Sequence, residues 1–106
     1  MPLSIIWREI GNVFSECGKL TKSIEAYNNA LFYNPNDISA LLGKARKMIY
    51  SRLRNYEEAN KLCDKVLQLD SNNYSALWLK LECIENEDEK IKIKDKLNLF
   101  YPGWNI

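Results

Sequence analysis

Two apolar stripes of similar length, joined by a turn at Cys17-Gly18-Lys19, most restrict the fold that this chain of 106 residues can adopt. The first stripe has the i, i+3, i+4, i+7 spacing that places side chains on one face of a helix, and it consists of Trp7, Ile10, Gly11 and Phe14. A second helical stripe consists of Ile24, Tyr27, Ala30 and Leu31. The pattern therefore predicts a helical hairpin, which must pack against the rest of the chain because two short helices cannot bury both stripes.

The residues that flank the two stripes predict where the helices begin and end. We expect the first helix to run from Ser4, as its N-cap, to Cys17, and Gly18 suits the left-handed conformation that ends a helix. Thr21 is expected to cap a second helix. This helix should continue to Tyr33, shortly before a proline that lacks the backbone N–H of a helical residue.

Residues 4–37 resemble one unit of the tetratricopeptide repeat, in which about 34 residues form two antiparallel helices. The signature positions that match are Trp7, Gly11, Phe14, Leu20, Tyr27, Ala30 and Pro35. Ser23 departs from the family pattern, which has alanine at this close helix crossing, but serine is small enough to be tolerated. The resemblance implies an all-α stack of antiparallel helix hairpins, an α-solenoid of about six helices.

Two further units are expected after the first. Residues 38–73 form a second clear repeat, in which two extra residues are placed in the turn near Ser51–Asn55. Residues 74–106 form a degenerate or closing repeat, as is common at the ends of repeat stacks. We therefore interpret the chain as one domain, residues 1–106, with repeats at 4–37, 38–73 and 74–106.

The last helix depends on a local pattern with two interpretations. Alternating lysine and isoleucine at Lys90–Lys94 is compatible with a strand. Asn86 and Glu89, however, have the spacing of a capping box, which favours a helix that continues to about Phe100. The tail at residues 101–106 is expected to fold back onto the stack. The inward residues of this helix are expected to be Ile91, Ile93, Leu97 and Phe100.

The composition argues against catalysis and against a bound metal. The chain has no histidine, which removes the commonest general base at neutral pH and a common metal ligand. Its three cysteines, Cys17, Cys63 and Cys83, lack metal-ligand spacing, and its glycines form no phosphate-binding loop. The sequence therefore predicts a protein that is not an enzyme and that binds no metal and no cofactor.

Charge and hydropathy indicate the kind of environment and partner. The net charge of +1 gives no general attraction to nucleic acid or to a membrane. No apolar run reaches the roughly 20 residues of a spanning helix. An odd number of cysteines without close pairing indicates reduced thiols. We therefore expect a cytoplasmic protein, with the nucleus as an alternative, and a protein or peptide as its partner.

One stretch carries positive charge without an acidic residue in between. It comprises Lys44, Arg46, Lys47, Arg52 and Arg54. A solvated helix end explains it, because cations are favourable near a helix C-terminus. Contact with an acidic peptide or with a nucleic-acid backbone is the alternative, and nucleic acid is the weaker of the two because Tyr50 is the one aromatic residue interleaved.

The resemblance also implies a function and a set of site residues. In similar proteins, the first helices of successive hairpins line a concave groove that binds a peptide. By register, the groove-facing residues are expected to be Arg8, Glu9, Asn12, Leu42, Gly43, Arg46, Ile49, Tyr50, Trp78, Leu79 and Glu82. Among these, the expected anchors of a partner segment are Trp78, Leu79, Leu42 and Tyr50, and the residues expected to orient it are Arg8, Asn12 and Arg46.

Two alternatives to an open peptide groove remain. The tail from Phe100 to Ile106, or a second copy of the chain, would cover Trp78 and Leu79, and the second case would make the protein a self-associating structural component. The other alternative is a co-chaperone-like clamp for the acidic C-terminal tail of a partner. The five clamp positions correspond to Arg8, Asn12, Gly43, Ser75 and Leu79, of which the first two fit.

Overall fold

A computed structural model describes residues 2–104, which form six α-helices and no β-strand. The helices are α1 (Leu3–Glu16), α2 (Leu20–Tyr33), α3 (Ile38–Tyr50), α4 (Tyr56–Leu69), α5 (Tyr74–Cys83) and α6 (Glu87–Phe100). Each helix packs against the next, and α3 also contacts both α1 and α5. The chain is therefore a stack of helix hairpins with the first helices of the hairpins side by side, which confirms the all-α helical-repeat fold, and Lys90–Lys94 lies within a helix.

Four of the six helices in the described residues begin at a side chain that caps them. Asp37, Asn55, Asn73 and Asn86 are the N-caps of α3, α4, α5 and α6, and each side chain accepts a hydrogen bond from the backbone N–H three residues later. The cap predicted at Asn86 is thus confirmed. Gly18 has a φ of +72°, the left-handed conformation expected after α1.

The two caps predicted for the first hairpin are wrong. Helix α1 begins at Leu3 after Pro2, and Ser4 is a buried residue inside its first turn. The Ser4 hydroxyl donates a hydrogen bond to the Asp37 carboxylate instead, which lies 33 residues away in the sequence. Helix α2 has Lys19 at its N-cap position without a side-chain hydrogen bond, so Thr21 lies within the helix. In both cases the helix begins earlier than the best capping residue.

The core lies mainly between the second and third hairpins. The buried cluster of α3, α4 and α5 includes Leu41, Leu42, Ala45, Met48, Ile49, Ala59, Leu62, Cys63, Val66, Ala76 and Leu79. Small residues occur at several of these positions, which allows α3 and α4 to approach closely. Because α3 has neighbours on several sides, more than one of its faces is buried.

The carboxy-terminal helix has a separate, smaller core. Ile93 and Leu97 of α6 pack with Leu77 and Ile84, as expected. Ile91 and Phe100, however, are 53% and 47% exposed, so their predicted inward position is wrong. Helix α6 packs against α5 alone among the described helices. Only one face of α6 is therefore buried, and Ile91 lies about 200° around the helix from Ile93.

The described part of the tail folds back, as expected. Tyr101 and Trp104 pack against the α5–α6 cluster, and the Tyr101 hydroxyl donates to the backbone carbonyl of Asn72. The Trp104 indole Nε1 donates to Asn98 Oδ1 at 2.7 Å. Residues 105–106 lie outside the described residues. As far as Trp104, the tail therefore packs against the α5–α6 hairpin.

Tyr27 links the first two hairpins. Its ring is buried between α1 and α3, and a Cβ atom placed on Gly11 would lie 2.8 Å from ring atoms Cδ1 and Cε1. A Cβ atom on Gly43 would lie 2.6 Å from ring atom Cζ. The Tyr27 hydroxyl donates to Asn12 Oδ1 at 2.6 Å. The two glycines therefore make the space for this ring, and the ring sets the separation of α1 and α3.

Asp37 is a second link between the same helices. Its buried carboxylate accepts hydrogen bonds from the Ala40 backbone N–H at 3.1 Å and from the Ser4 hydroxyl at 2.9 Å. Arg8 Nη1 lies 3.3 Å from both carboxylate oxygens. The carboxylate is thus fully hydrogen-bonded, as a buried charge must be. It holds the N-terminus of α3 against α1.

Candidate functional site: a groove across three helices

Two adjoining clefts lie along α1, α3 and α5. A cleft of about 690 Å³ between α1 and α3 is lined by Glu9, Asn12, Val13, Ser15, Glu16, Tyr27, Ser39, Leu42, Gly43, Arg46, Lys47 and Tyr50. A smaller cleft of about 330 Å³ between α3 and α5 is lined by Arg46, Tyr50, Tyr74, Ser75, Trp78 and Leu79. Arg46 and Tyr50 line both clefts, so the two form one groove that crosses α3.

The groove contains most of the residues expected there from the sequence. Eight of the eleven residues expected to face the groove line it, namely Glu9, Asn12, Leu42, Gly43, Arg46, Tyr50, Trp78 and Leu79. Arg8, Ile49 and Glu82 line neither cleft. Tyr74 and Lys47 line the groove but were not among the predicted residues. Tyr74 directly follows the N-cap Asn73 and lies three residues before the buried Leu77.

Two of the expected anchors, Leu42 and Leu79, and one other residue expected to face the groove, Ile49, are not exposed. Leu42, Ile49 and Leu79 retain 7%, 4% and 3% of their surface and belong to the core of α3, α4 and α5. Their predicted exposure is therefore wrong, because α4 and α5 pack against Leu42 and Ile49 of α3, and Leu79 of α5 belongs to the same buried cluster. Leu42 and Leu79 form the floor of the two clefts. Tyr50, by contrast, is 58% exposed and projects from the same helix.

Arg8 and Asn12 are engaged within the protein. Arg8 pairs with Asp37 and lies 3.5 Å from Glu9, so its expected role of orienting a ligand is not supported by its position. Asn12 uses its side-chain oxygen for the Tyr27 hydroxyl and keeps its amide N–H groups for other partners. Gly43 faces the Tyr27 ring and has no room for a side chain.

The two sides of the larger cleft carry opposite charges. Helix α1 contributes Glu9 and Glu16, and α3 contributes Arg46 and Lys47. Burial raises the pKa of the Tyr50 hydroxyl, and the nearby Glu82 carboxylate adds to this rise, while Arg46 opposes it. Burial likewise raises the pKa of Tyr27, and Arg46 again acts in the opposite direction. Both phenols are therefore neutral at neutral pH, and Arg46 is close enough to influence each of them.

The thiols near the core are poor nucleophiles. Burial raises the pKa of Cys63 to about 12 and that of Cys83 to about 11, and in each case a nearby lysine, Lys80, opposes the rise. Both groups are protonated at neutral pH, whereas the thiolate is the reactive form. Among residues 2–104, no three potential ligands from histidine, cysteine, aspartate and glutamate come together as a metal site would require.

An apolar depression lies on the outer side of α1. Its volume is about 460 Å³, and it is lined by Ile5, Ile6, Glu9, Ile10, Val13 and Phe14. No helix covers this end of the stack in the described part of the chain, so Ile5 and Val13 are 44% and 57% exposed. None of the helices within residues 2–104 combines the length and apolar composition that crossing a bilayer requires.

Comparison with known sequences agrees with this architecture. The sequence model of the tetratricopeptide repeat matches residues 48–73, from the end of α3 through α4 to the N-cap of α5. The uncharacterized protein ycf37 of Pyropia yezoensis is 34% identical over 71 residues, which cover 67% of this chain and 39% of that protein. Tetratricopeptide repeats are generally non-catalytic modules of protein–protein interaction. The resemblance is thereby confirmed over residues 48–73, which match a tetratricopeptide repeat within an all-α helical-repeat fold.

Proposed function

We propose that this protein is a non-catalytic adaptor or scaffold module that binds a segment of a partner protein in the groove across α1, α3 and α5. The observation that supports this most directly is the continuity of the two clefts through Arg46 and Tyr50. The module is one domain with repeats at residues 4–37, 38–73 and 74–106. Its three cysteines are free, which is consistent with a reducing compartment such as the cytoplasm.

The composition of the groove suits a peptide ligand. Three aromatic residues, Tyr50, Tyr74 and Trp78, border the cleft between α3 and α5, above a floor that includes Leu79. Tyrosine and tryptophan are enriched among the residues that dominate binding energy at protein interfaces. The helices that carry them are packed in the free protein, so little ordering is needed when a ligand binds.

Tyr50 provides the sharpest test of this proposal. In a selection of displayed random peptides on the immobilised protein, we expect enriched sequences whose affinity for a Tyr50→Ala variant falls by at least about 30-fold. This corresponds to the loss of about 2 kcal/mol expected for a central aromatic anchor. Fluorescence anisotropy with the enriched peptides measures the change.

Tyr33→Ala is the matched control. Tyr33 is 50% exposed, close to the 58% of Tyr50, but it lies at the end of α2 and lines neither cleft of the groove. Two outcomes would contradict a ligand site in the groove. In one, the peptides bind Tyr50→Ala and Tyr33→Ala with equal affinity; in the other, they bind both variants as tightly as the unchanged protein.

A second candidate is self-association through the outer side of α1. The apolar depression there is not covered by any other helix of residues 2–104, and large exposed apolar patches mark interaction sites. A second copy would bury the face that carries Ile5 and Ile6. In this case the protein acts as a structural component of a larger assembly.

Charge placed on this face should then weaken association. If two α1 faces pair, Ile5→Lys should raise the concentration for half-dimerisation by roughly tenfold or more, because an ammonium group would be buried without a partner. Sedimentation equilibrium over a range of concentrations measures it. Ile91→Lys on α6 is the control, since Ile91 is also exposed. A monomer at every concentration, in both the unchanged protein and the variants, would refute this candidate.

The clamp for an acidic C-terminal tail is not part of the proposal. Of its five positions, Arg8 is paired with Asp37, Gly43 lies against Tyr27, and Leu79 is buried. Two terminal carboxylates would find too few donors there, which is costly for charged groups removed from water.

A further inference from the structure

We infer that the groove selects a partner segment in which an acidic side chain lies next to an apolar or aromatic one, with the acidic group on Arg46 and the apolar group in the cleft between α3 and α5. This inference rests on the proposed function. It follows from the charges that line the groove and from their distribution over its three helices.

The positive charges that line the groove come from α3 and have no carboxylate partner among the described residues. Arg8 is paired with Asp37 and Lys80 with Asp64, whereas Arg46 and Lys47 have no carboxylate within 4 Å among residues 2–104. Arg46 is exposed and lines both clefts. A carboxylate of a bound segment can therefore complete an ion pair that the free protein lacks. Charge-assisted hydrogen bonds of this kind are stronger than neutral ones.

The position of the apolar subsite follows from the residues next to Arg46. Tyr50, Tyr74, Trp78 and Leu79 form the walls and floor of the cleft of about 330 Å³ that begins at the Arg46 side chain. The Tyr74 ring is held in place by an edge-to-face contact with Tyr101, at 5.1 Å between centroids. An apolar side chain in this cleft would leave the neighbouring residue of the same segment within reach of Arg46.

The opposite side of the groove limits how acidic the segment can be. Glu9 and Glu16 of α1 line the cleft across from Arg46 and Lys47. A carboxylate that approached α1 would meet like charge, which disfavours uniformly acidic ligands. The groove therefore favours an acidic group over α3, an apolar group towards α5, and a neutral or basic residue towards α1.

The test uses the same selection of displayed random peptides and a charge reversal. We expect the enriched sequences to contain aspartate or glutamate beside a large apolar residue. A synthetic peptide with the most frequent sequence should bind an Arg46→Glu variant at least about tenfold more weakly, as expected for the loss of a hydrogen bond to a charged group. Replacing its acidic residue with the corresponding amide should weaken binding to the unchanged protein in the same way.

Arg52→Glu makes the same change in charge at an exposed site outside the groove and should alter binding less than about threefold, since distant surface charges are screened. Circular dichroism checks that each variant is folded, and Arg46→Gln replaces Arg46→Glu if the reversal disturbs folding.

Enriched peptides that depend on Tyr50 but lack an acidic preference, or that tolerate both Arg46 variants, overturn this inference and leave the proposed function intact. Absence of any Tyr50-dependent peptide overturns both.

Discussion

Replacing Tyr27 with alanine is expected to lower the free energy of unfolding by about 3–5 kcal/mol, the range for removing a buried aromatic side chain. The ring fills the space between Gly11 of α1 and Gly43 of α3, and neither glycine has a side chain that could occupy the resulting cavity. Urea denaturation followed by circular dichroism measures the change as a lower midpoint.

Two further variants separate the contributions of the ring and the hydroxyl. Tyr27→Phe keeps the ring and removes the hydrogen bond to Asn12, so we expect a loss of only about 1 kcal/mol. Tyr33→Ala removes an exposed tyrosine and should change stability by less than about 0.5 kcal/mol. If Tyr27→Ala were no less stable than Tyr33→Ala, the ring would not be the link between the two hairpins.

Asp37→Ala is expected to lower the free energy of unfolding by about 2–4 kcal/mol. The change removes the N-cap of α3, commonly worth about 1 kcal/mol. It also leaves Arg8 and the buried Ser4 hydroxyl without their acceptor, and hydrogen bonds to a charged group contribute about 1.5–3 kcal/mol. The same denaturation experiment measures the effect.

Asn55→Ala separates the cap from the rest of this network. Asn55 also caps a helix, α4, but its side-chain oxygen accepts one hydrogen bond, from the Glu58 backbone N–H, and the site is exposed. Its loss should therefore cost about 1 kcal/mol. Equal losses for Asp37→Ala and Asn55→Ala would mean that the contacts of Asp37 with α1 add nothing to stability.

Both links bear on the proposed function because they join the two helices that enclose the larger cleft. Tyr27 lines this cleft itself, between α1 and α3. Asp37 holds the first turn of α3 against the first half of α1 through Ser4 and Arg8. A groove whose sides are held at two points can present Arg46 and Tyr50 in one arrangement, which lowers the entropic cost of binding.

The local pattern of the sequence was sufficient for the fold. Helical periodicity, a glycine that can adopt positive φ and an asparagine cap at residue 86 each act within a few residues, so they can be read from neighbours in the chain. The same holds for Lys90–Lys94, where the cap and the flanking residues outweigh a strand-like alternation. The repeat signature then indicated that consecutive hairpins stack, and the structure has this order.

Exposure depended on how many neighbours each helix has. A periodic stripe predicts one buried face, but α3 lies between α1, α4 and α5 and is buried on more than one side. Leu42 and Ile49 are therefore core residues although the sequence predicts that they face the groove. Helix α6 shows the opposite case, because it contacts α5 alone and leaves Ile91 exposed.

The sequence by itself therefore determined the helices, their order and the helices that would line a groove, because these follow from interactions between residues close in the chain. Only the tertiary structure decided which charges stay available in that groove. Arg8 and Arg46 have the same side chain on equivalent helices, yet Arg8 meets the Asp37 carboxylate 29 residues away and Arg46 has no acidic neighbour within ion-pair distance in the described residues. A contact between distant residues, absent from any local pattern, makes this difference.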